Sequence, residues 1–328
     1  MRIRLMRCTA LFLVILPAIL ALPPAVAQPP LKKASFLPQW IPQAQFAGYF
    51  VAKEKGFYRD AGIDLTLLTG GPGHAPFVGL AGGKVTFCTG WLSTAITKRA
   101  AGISLVNLAQ IVQRSALLLV ATKKSGINTL ADLNGRTVGW WTGEFHVPLS
   151  VFLGRNNLRL KVIPNYTSIT MFTKHAVDAM GAMWYNEYHS ILNSGYDAEE
   201  LTVFRLGDLG ADFPEDGLYC LQETFEADPE MCAAFVQASL RGWLYAFDHG
   251  EEALNIVMKY AGEANTGTNR AHQGWMLAGM KDLILPEADR AAVGELSRED
   301  YMTVGKALKS LYLVDRLPDY REFYRGRK

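Results

Sequence analysis

Strand-like and helix-like stretches alternate along this chain with short connections, and they do so in two successive runs. That rhythm predicts mostly parallel sheets covered by helices, because parallel neighbours need a crossover and a helix is the usual one. The first run reads strand 35–37, helix 46–55 closed by Gly56, strand 63–69, short helix 77–81, strand 85–88, helix 94–101 and strand 103–112. The rhythm restarts at an apolar strand over 115–122. Short helix 130–133, strand 137–141, helix 148–155, strand 162–164, helix 170–180, strand 182–184, helix 186–192 and strand 201–205 follow, with one more strand at 218–222. From Asp228 onward the period is helical, with Pro229 at a first-turn position. A length of 328 residues exceeds what one core usually fills. The expected architecture is therefore α/β with two lobes, each a mostly parallel sheet flanked by helices, and a helical C-terminal tail folded back over them. Lobe 1 is placed at 28–118 plus about 250–328, and lobe 2 at about 119–249.

The first 27 residues are of another kind. Arg2, Arg4 and Arg7 precede an apolar run from Ala10 to Leu22, and Ala25-Val26-Ala27 supplies small residues before Gln28. This is the grammar of a secretory signal peptide. Pro17, Pro23 and Pro24 interrupt the run, which falls short of the roughly 20 residues a membrane span needs. A soluble exported protein is expected, periplasmic, with cleavage after Ala27. Losing that segment and its three arginines leaves 301 residues with a formal charge of −1, no basis for binding nucleic acid. Cys88, Cys220 and Cys232 remain, without CxxC or Cys/His spacing, which argues against a disulfide framework and against a metal site. The apolar runs around Cys88 and Cys220 predict buried thiols.

In open sheets of this kind ligands bind beyond the carboxyl ends of the strands. The loops to search are 40–45, 70–76, 89–94, 140–146 and 185–187. Five of the seven tryptophans, Trp40, Trp91, Trp140, Trp141 and Trp184, fall at or beside these ends, and Tyr185 joins them. Aromatic walls offer a flat ring large contact area at little entropic cost, though each could equally pack the lobes. Adjacent residues of a strand point to opposite faces, so only one of Trp140 and Trp141 can line a cleft. Gly70, Gly71, Gly73 and His74 form a loop opening onto a helix, either a backbone donor to a polar ligand edge or a plain tight turn. Thr142, Gly143, Glu144 and Phe145 have the same placement and add a carboxylate. Tyr185, Asn186 and Glu187 follow an apolar strand. A sheltered carboxylate there suits an amino-substituted pyrimidine, while helix capping by Asn186 and Glu187 is the competing explanation. Catalytic machinery is hard to assemble, since the six histidines show neither HExxH nor paired spacing and no GxSxG occurs.

Gln39-Trp40-Ile41-Pro42-Gln43-Ala44-Gln45-Phe46-Ala47-Gly48-Tyr49, then Val51 to Tyr58, then Ala61-Gly62-Ile63-Asp64, resemble the opening of the SsuA-like and thiamine-pyrimidine-precursor family. Gly70 to Gly73, Gly82 to Val85, Leu130 to Gly135, Tyr185-Asn186-Glu187 and Asp216 to Tyr219 continue the likeness in family order. The resemblance implies a two-lobed type II periplasmic binding protein fold and the solute-binding role of an ABC importer. The ligand would be small and heteroaromatic, a thiamine pyrimidine precursor or a riboflavin-like molecule, with alkanesulfonates the less favoured class. The implied partners are a permease and an ATPase, with the receptor itself a monomer. The same superfamily holds a single-turnover enzyme that makes the thiamine pyrimidine from pyridoxal phosphate and its own histidine, and Gly143-Glu144-Phe145 looks like its phosphate-contacting stretch. That enzyme's Schiff-base lysine falls here at about Gly90 and its donor histidine at about Thr94. Its cysteine-rich iron motif has no counterpart near Cys220. These departures imply binding without catalysis and without a cofactor. A periplasmic sensor subunit would carry the same features. Trp40, Trp91, Trp141 and Tyr185 are the expected stacking residues, and Gln45, Glu144, Asn186 and Glu187 the expected polar contacts.

Overall fold

The computed structural model describes residues 30–326, apart from 167 and 287–288; the expected leader, with Cys8, lies outside the described residues. Its strands are β1 (Lys32–Leu37), β2 (Ile63–Leu67), β3 (Phe87–Trp91), β4 (Leu105–Gln110), β5 (Leu117–Thr122), β6 (Thr137–Trp140), β7 (Lys161–Pro164), β8 (Ala179–Met183), β9 (Leu201–Arg205) and β10 (Asp216–Leu221). They make two five-stranded sheets of the same design, β2-β1-β3-β10-β4 and β7-β6-β8-β5-β9. In the first, β1, β2 and β3 pair in parallel and β10 runs antiparallel to both β3 and β4. In the second, β6, β7 and β8 are parallel and β5 is antiparallel to β8 and β9. Each sheet thus has four strands running one way and one reversed. The reversed strand is in each case the one by which the chain arrives from the other sheet.

That exchange of strands defines two lobes joined by two crossovers, residues 111–116 and 206–215. The return to the first lobe comes at Asp216, well before the expected boundary at 249. β10 fills a fully covered slot between β3 and β4, and the helix Pro229–Asp248 packs on the helix Ala47–Glu54 of the first lobe. Those two helices approach so closely that a Cβ on Gly242 would overlap the carbonyl oxygen of Gly48, and one on Gly48 would overlap the Trp243 ring. The tail is helical, as its periodicity predicts, and its last turn, Tyr320–Phe323, comes back against β4.

Burial follows the order of the sheets. β4 and β5 are buried along their whole length, β5 as an apolar run up to Thr122 and β4 with Asn107 and Gln110 among its apolar residues, whereas edge strand β2 alternates buried and exposed. The expected helix 170–180 is wrong beyond its first turn. Only Thr170–Thr173 is helical, His175 takes a left-handed φ of 55°, and Ala179–Met183 is a central strand. Small residues there carry no β preference of their own, but a Cβ at Gly181 would crowd Trp140 and Trp141, so the strand's composition is set by the rings stacked on it. Cys88, Cys220 and Cys232 are all free and buried. Among the described residues no helix is long and apolar enough to cross a membrane.

Candidate functional site

The carboxyl ends of β3, β6 and β8 meet the start of β10 where the lobes join. Trp91 is the last residue of β3 rather than part of a loop, and in the sheet it lies opposite Asp216. Across the junction Phe145 of the second lobe sets its ring edge against Trp91, with centroids 4.9 Å apart. Trp141 lies 4.9 Å from Phe145 on the other side, so three rings from both lobes form one wall. Trp140 belongs elsewhere: it is wholly buried and its indole N–H donates to the Phe145 carbonyl at 2.9 Å. Trp141, beyond the end of β6, stays half-buried and is the one of the pair that reaches the junction.

Acidic groups gather beside this wall. Asp216 is buried and accepts from Gln45 Nε2 at 2.8 Å and from Gln39 Nε2 at 2.5 Å. Gln45 in turn accepts from Gln43 Nε2 at 2.7 Å, and the Gln39 backbone N–H donates to Thr89 Oγ1 at 2.8 Å. Burial pushes the Asp216 carboxyl up to about 6, against the pull of the two glutamine amides. Glu215, next in the chain, accepts from the Ala116 N–H at 2.7 Å and is raised well above the ordinary carboxylate range by burial and by its neighbour Asp216. Glu187 accepts from the Met183 N–H at 3.0 Å and from Asn186 Nδ2 at 3.2 Å, and burial lifts it to about 7. Tyr185 is buried among all three: burial first, then the charges of Glu215, Asp216 and Glu187, hold its phenol well above its usual range.

Three buried carboxylates thus surround one tyrosine, and among the described residues no lysine or arginine is buried. A carboxylate taken from water without a cation is costly. Here amide and backbone donors offset that cost only in part, which is why the pKa values rise. Gln39 Oε1 adds a buried acceptor with no hydrogen-bond partner. Chemically the junction is a set of acceptors beside aromatic faces, matched to a ligand that brings N–H donors or positive charge.

The expected residues fall into two groups. Gln45, Trp91, Trp141, Phe145, Tyr185, Asn186 and Glu187 come together at the junction. Trp40 and Gly70 instead line a cavity of about 140 Å³ within the first lobe, with Leu67, Phe50 and Tyr260. Gly70 is there because a Cβ would overlap the carbonyl oxygen of Pro38, and Gly71, at a φ of 136°, packs on Ile41. Gly73 and His74 are exposed, and the His74 N–H closes a turn on the Gly71 carbonyl, so this loop is a tight turn leading to a helix of one and a half turns, Pro76–Ala81. Thr142 and Gly143 are exposed. The Glu144 side chain lies outside the described residues. Asn186 occupies the N-cap position of helix Glu187–Asn193, yet its side chain makes no capping bond and turns to Glu187 and His272. A larger cavity, about 480 Å³, opens behind the crossovers, between Arg114, Arg205, Asp208 and Asp212.

Gln43 and Thr89 lie in the loops 40–45 and 89–94 but are not among the expected contacts, and neither are Gln39, Glu215 and Asp216. The signal for the last two is the pair of adjacent acids ahead of a strand, obscured because the strand's apolar pattern starts only at Leu218 whereas β10 starts at Asp216.

A family model described as NMT1/THI5 like matches residues 43–253. The formylaminopyrimidine-binding protein of Halalkalibacterium halodurans is 22% identical over 233 residues, 69% of this chain and 70% of its own. The riboflavin-binding protein RibY of Chloroflexus aurantiacus is 24% identical over 262 residues, 75% and 72% of the two chains. A 4-amino-5-hydroxymethyl-2-methylpyrimidine phosphate synthase of Legionella pneumophila is 23% identical over 312 residues, 90% and 92%. The structure of the alkanesulfonate-binding protein SsuA from Xanthomonas axonopodis pv. citri superposes with a TM-score of 0.68 at 16% identity, covering 91% of this chain and 100% of that one. The likeness is one of fold: this chain has the two-lobed architecture of the periplasmic binding proteins.

Proposed function

The chain belongs to the NMT1/THI5-like family, and on that premise we propose that it is the exported solute receptor of an ABC importer, a monomer that closes its two lobes over an aminopyrimidine of the thiamine-precursor type. The observation that carries this reading is the cluster of Glu187, Glu215 and Asp216 beside Trp91, Trp141, Phe145 and Tyr185, with no buried lysine or arginine among the described residues. An amino group and a protonatable ring nitrogen answer those acceptors, and the flat ring answers the aromatic wall. A sulfonate would add a further negative charge beside three buried carboxyl groups, which favours the pyrimidine over the alkanesulfonate class despite the shared fold. Flavin rings present fewer donors per aromatic face, which places the riboflavin-like ligand second.

Turnover is not part of this reading. Gly90, where the related synthase would carry its lysine, is buried under Phe77, whose ring a Cβ at that position would overlap. Incubation with pyridoxal phosphate and borohydride should leave no absorbing adduct.

The test is to identify by mass spectrometry the small molecule released on denaturing the exported protein, whose intact mass also reports cleavage after Ala27. Titration with formylaminopyrimidine, riboflavin and an alkanesulfonate should then give binding to the first and at least tenfold weaker binding to the last. Glu187→Ala should weaken the pyrimidine by about 2 kcal/mol, some thirtyfold, on the scale of one lost charge-assisted hydrogen bond. Unchanged affinity in that variant removes Glu187 from the site, and sulfonate preference overturns the ligand class.

A further inference from the structure

His189 and His272 are 83 residues apart in sequence and meet across the lobes. His189 stands on helix Glu187–Asn193 of the second lobe. His272 stands on helix Arg270–Ile284, which packs on residues Ala44–Phe46 and on helix Gly250–Glu263 of the first. Their Nδ1 atoms are 3.0 Å apart, His189 is stacked on Trp275 at 4.7 Å, and the Trp275 indole N–H donates to the Trp184 carbonyl at 3.0 Å. From His272 the contacts run on: its Nε2 lies 2.8 Å from Asn186 Oδ1, and Asn186 Nδ2 donates to Glu187.

We propose that this histidine pair is an acid-sensitive latch between the lobes, wired through Asn186 to the carboxylate of Glu187, so that proton uptake at the latch loosens closure and ligand together. The link to ligand rests on the binding role proposed above; the latch itself does not.

One arrangement of neutral rings satisfies the path. His272 Nε2–H donates to Asn186, its Nδ1 accepts from His189 Nδ1–H, and Asn186 is thereby held with its amide nitrogen towards Glu187. Asn193 is the remaining polar neighbour, 3.2 Å from His189 Nδ1; with that nitrogen donating, its side-chain amide turns its oxygen to the ring, since two N–H donors cannot face each other. A first proton can be shared between the rings. A second sets two imidazolium ions face to face, one on each lobe. The surroundings leave that repulsion uncompensated. Arg270, two residues before His272, is engaged by Glu251 and Asn255, and Tyr188 packs towards Trp275. Lys281 and Asp282 lie more than two turns along the same helix, and Arg205 sits over Trp184. Glu187 is reached only through Asn186, and no carboxylate hydrogen-bonds either ring among the described residues. Both rings are accordingly held below the ordinary histidine range, by burial and, for His272, by His189.

The experiment is an NMR titration of the imidazole protons in the ligand-free protein, wild type beside His189→Gln and His272→Gln. Glutamine on these half-buried positions keeps a donor and an acceptor, and either variant alone suffices. His189 should titrate about one pH unit higher once His272 is glutamine, and His272 likewise when His189 is replaced. Midpoints that ignore the partner overturn the latch. The wiring is read from formylaminopyrimidine affinity at pH 7.5 and 5.0. Glu187 titrates in the same interval in both proteins, so the ratio of His272→Gln to wild-type affinity is what counts. That ratio should grow about tenfold on acidification, one decade per pH unit of midpoint. A constant ratio overturns the wiring. A wild type that binds no formylaminopyrimidine at pH 7.5 counts against the ligand proposed above, and the imidazole titration then decides the latch by itself.

Discussion

Glu187 shows how a residue suited to binding strains the unliganded fold. Folded, it holds its proton to about pH 7; unfolded, it releases it near the ordinary value of 4.5. Between the two the folded chain binds the extra proton, so this residue makes stability fall as the pH rises through that interval. Asp216, raised to about 6 from 3.8, acts in the same sense over a narrower window. Glutamine at 187 can keep the acceptor towards the Met183 N–H and never ionises. Glu187→Gln should therefore be more stable than wild type at pH 8, by about 1–3 kcal/mol, and within about 0.5 kcal/mol of it at pH 5. Urea unfolding at the two pH values checks this; a variant destabilised equally at both would mean that the carboxylate is not held at a cost.

Among the elements, the crossing of helices Ala47–Glu54 and Pro229–Asp248 holds the returning chain on the first lobe together with the pairing of β10. Gly48 and Gly242 face each other there, with Tyr49 edge-on to Trp243 at 5.6 Å. No rotamer relieves a Cβ placed on Gly242, because it meets backbone. Gly242→Ala should cost more than about 2 kcal/mol although alanine is the better helix former by roughly 1 kcal/mol. A thermal melt unchanged from wild type would show that the two helices can separate cheaply. β8 teaches the converse lesson. Met180-Gly181-Ala182 fits a helix by propensity as well as a strand, and pairing with β5 and β6 under Trp140 decides for the strand.

At the scale of the molecule, the site is assembled by crossovers. Trp91 and Asp216 come from the first lobe, Phe145, Trp141, Tyr185 and Glu187 from the second, so a ligand held between them bonds the lobes together. Formylaminopyrimidine at about 100 times its Kd should stabilise the protein by about 2.7 kcal/mol through linkage alone, and an alkanesulfonate at equal concentration by no more than about 1.4 kcal/mol. The reverse pattern would move the ligand from the amine class to the anion class.

The repeated strand–helix rhythm, the helical tail, and the aromatic and acidic loops at 140–146 and 185–187 were legible in the sequence, because periodicity and strand ends are local properties. The alternation of faces expected for Trp140 and Trp141 does not hold: Trp141 lies beyond the end of β6, its ring meets that of Trp140 at 5.4 Å, and both crowd Gly181. Three things needed the tertiary structure. Asp216 joins the candidate site only because reversed β10 sets it opposite Trp91. Gly70 and Gly71 prove to pack against Pro38 and Ile41, neighbours brought by the pairing of β1 with β2. The histidine pair spans 83 residues and two lobes, and no local pattern records it. Local chemistry determines which groups a strand end can offer; long-range pairing decides which of them share one desolvated space, and desolvation is what sets the carboxylates and imidazoles of the candidate site and the proposed latch apart from those in water.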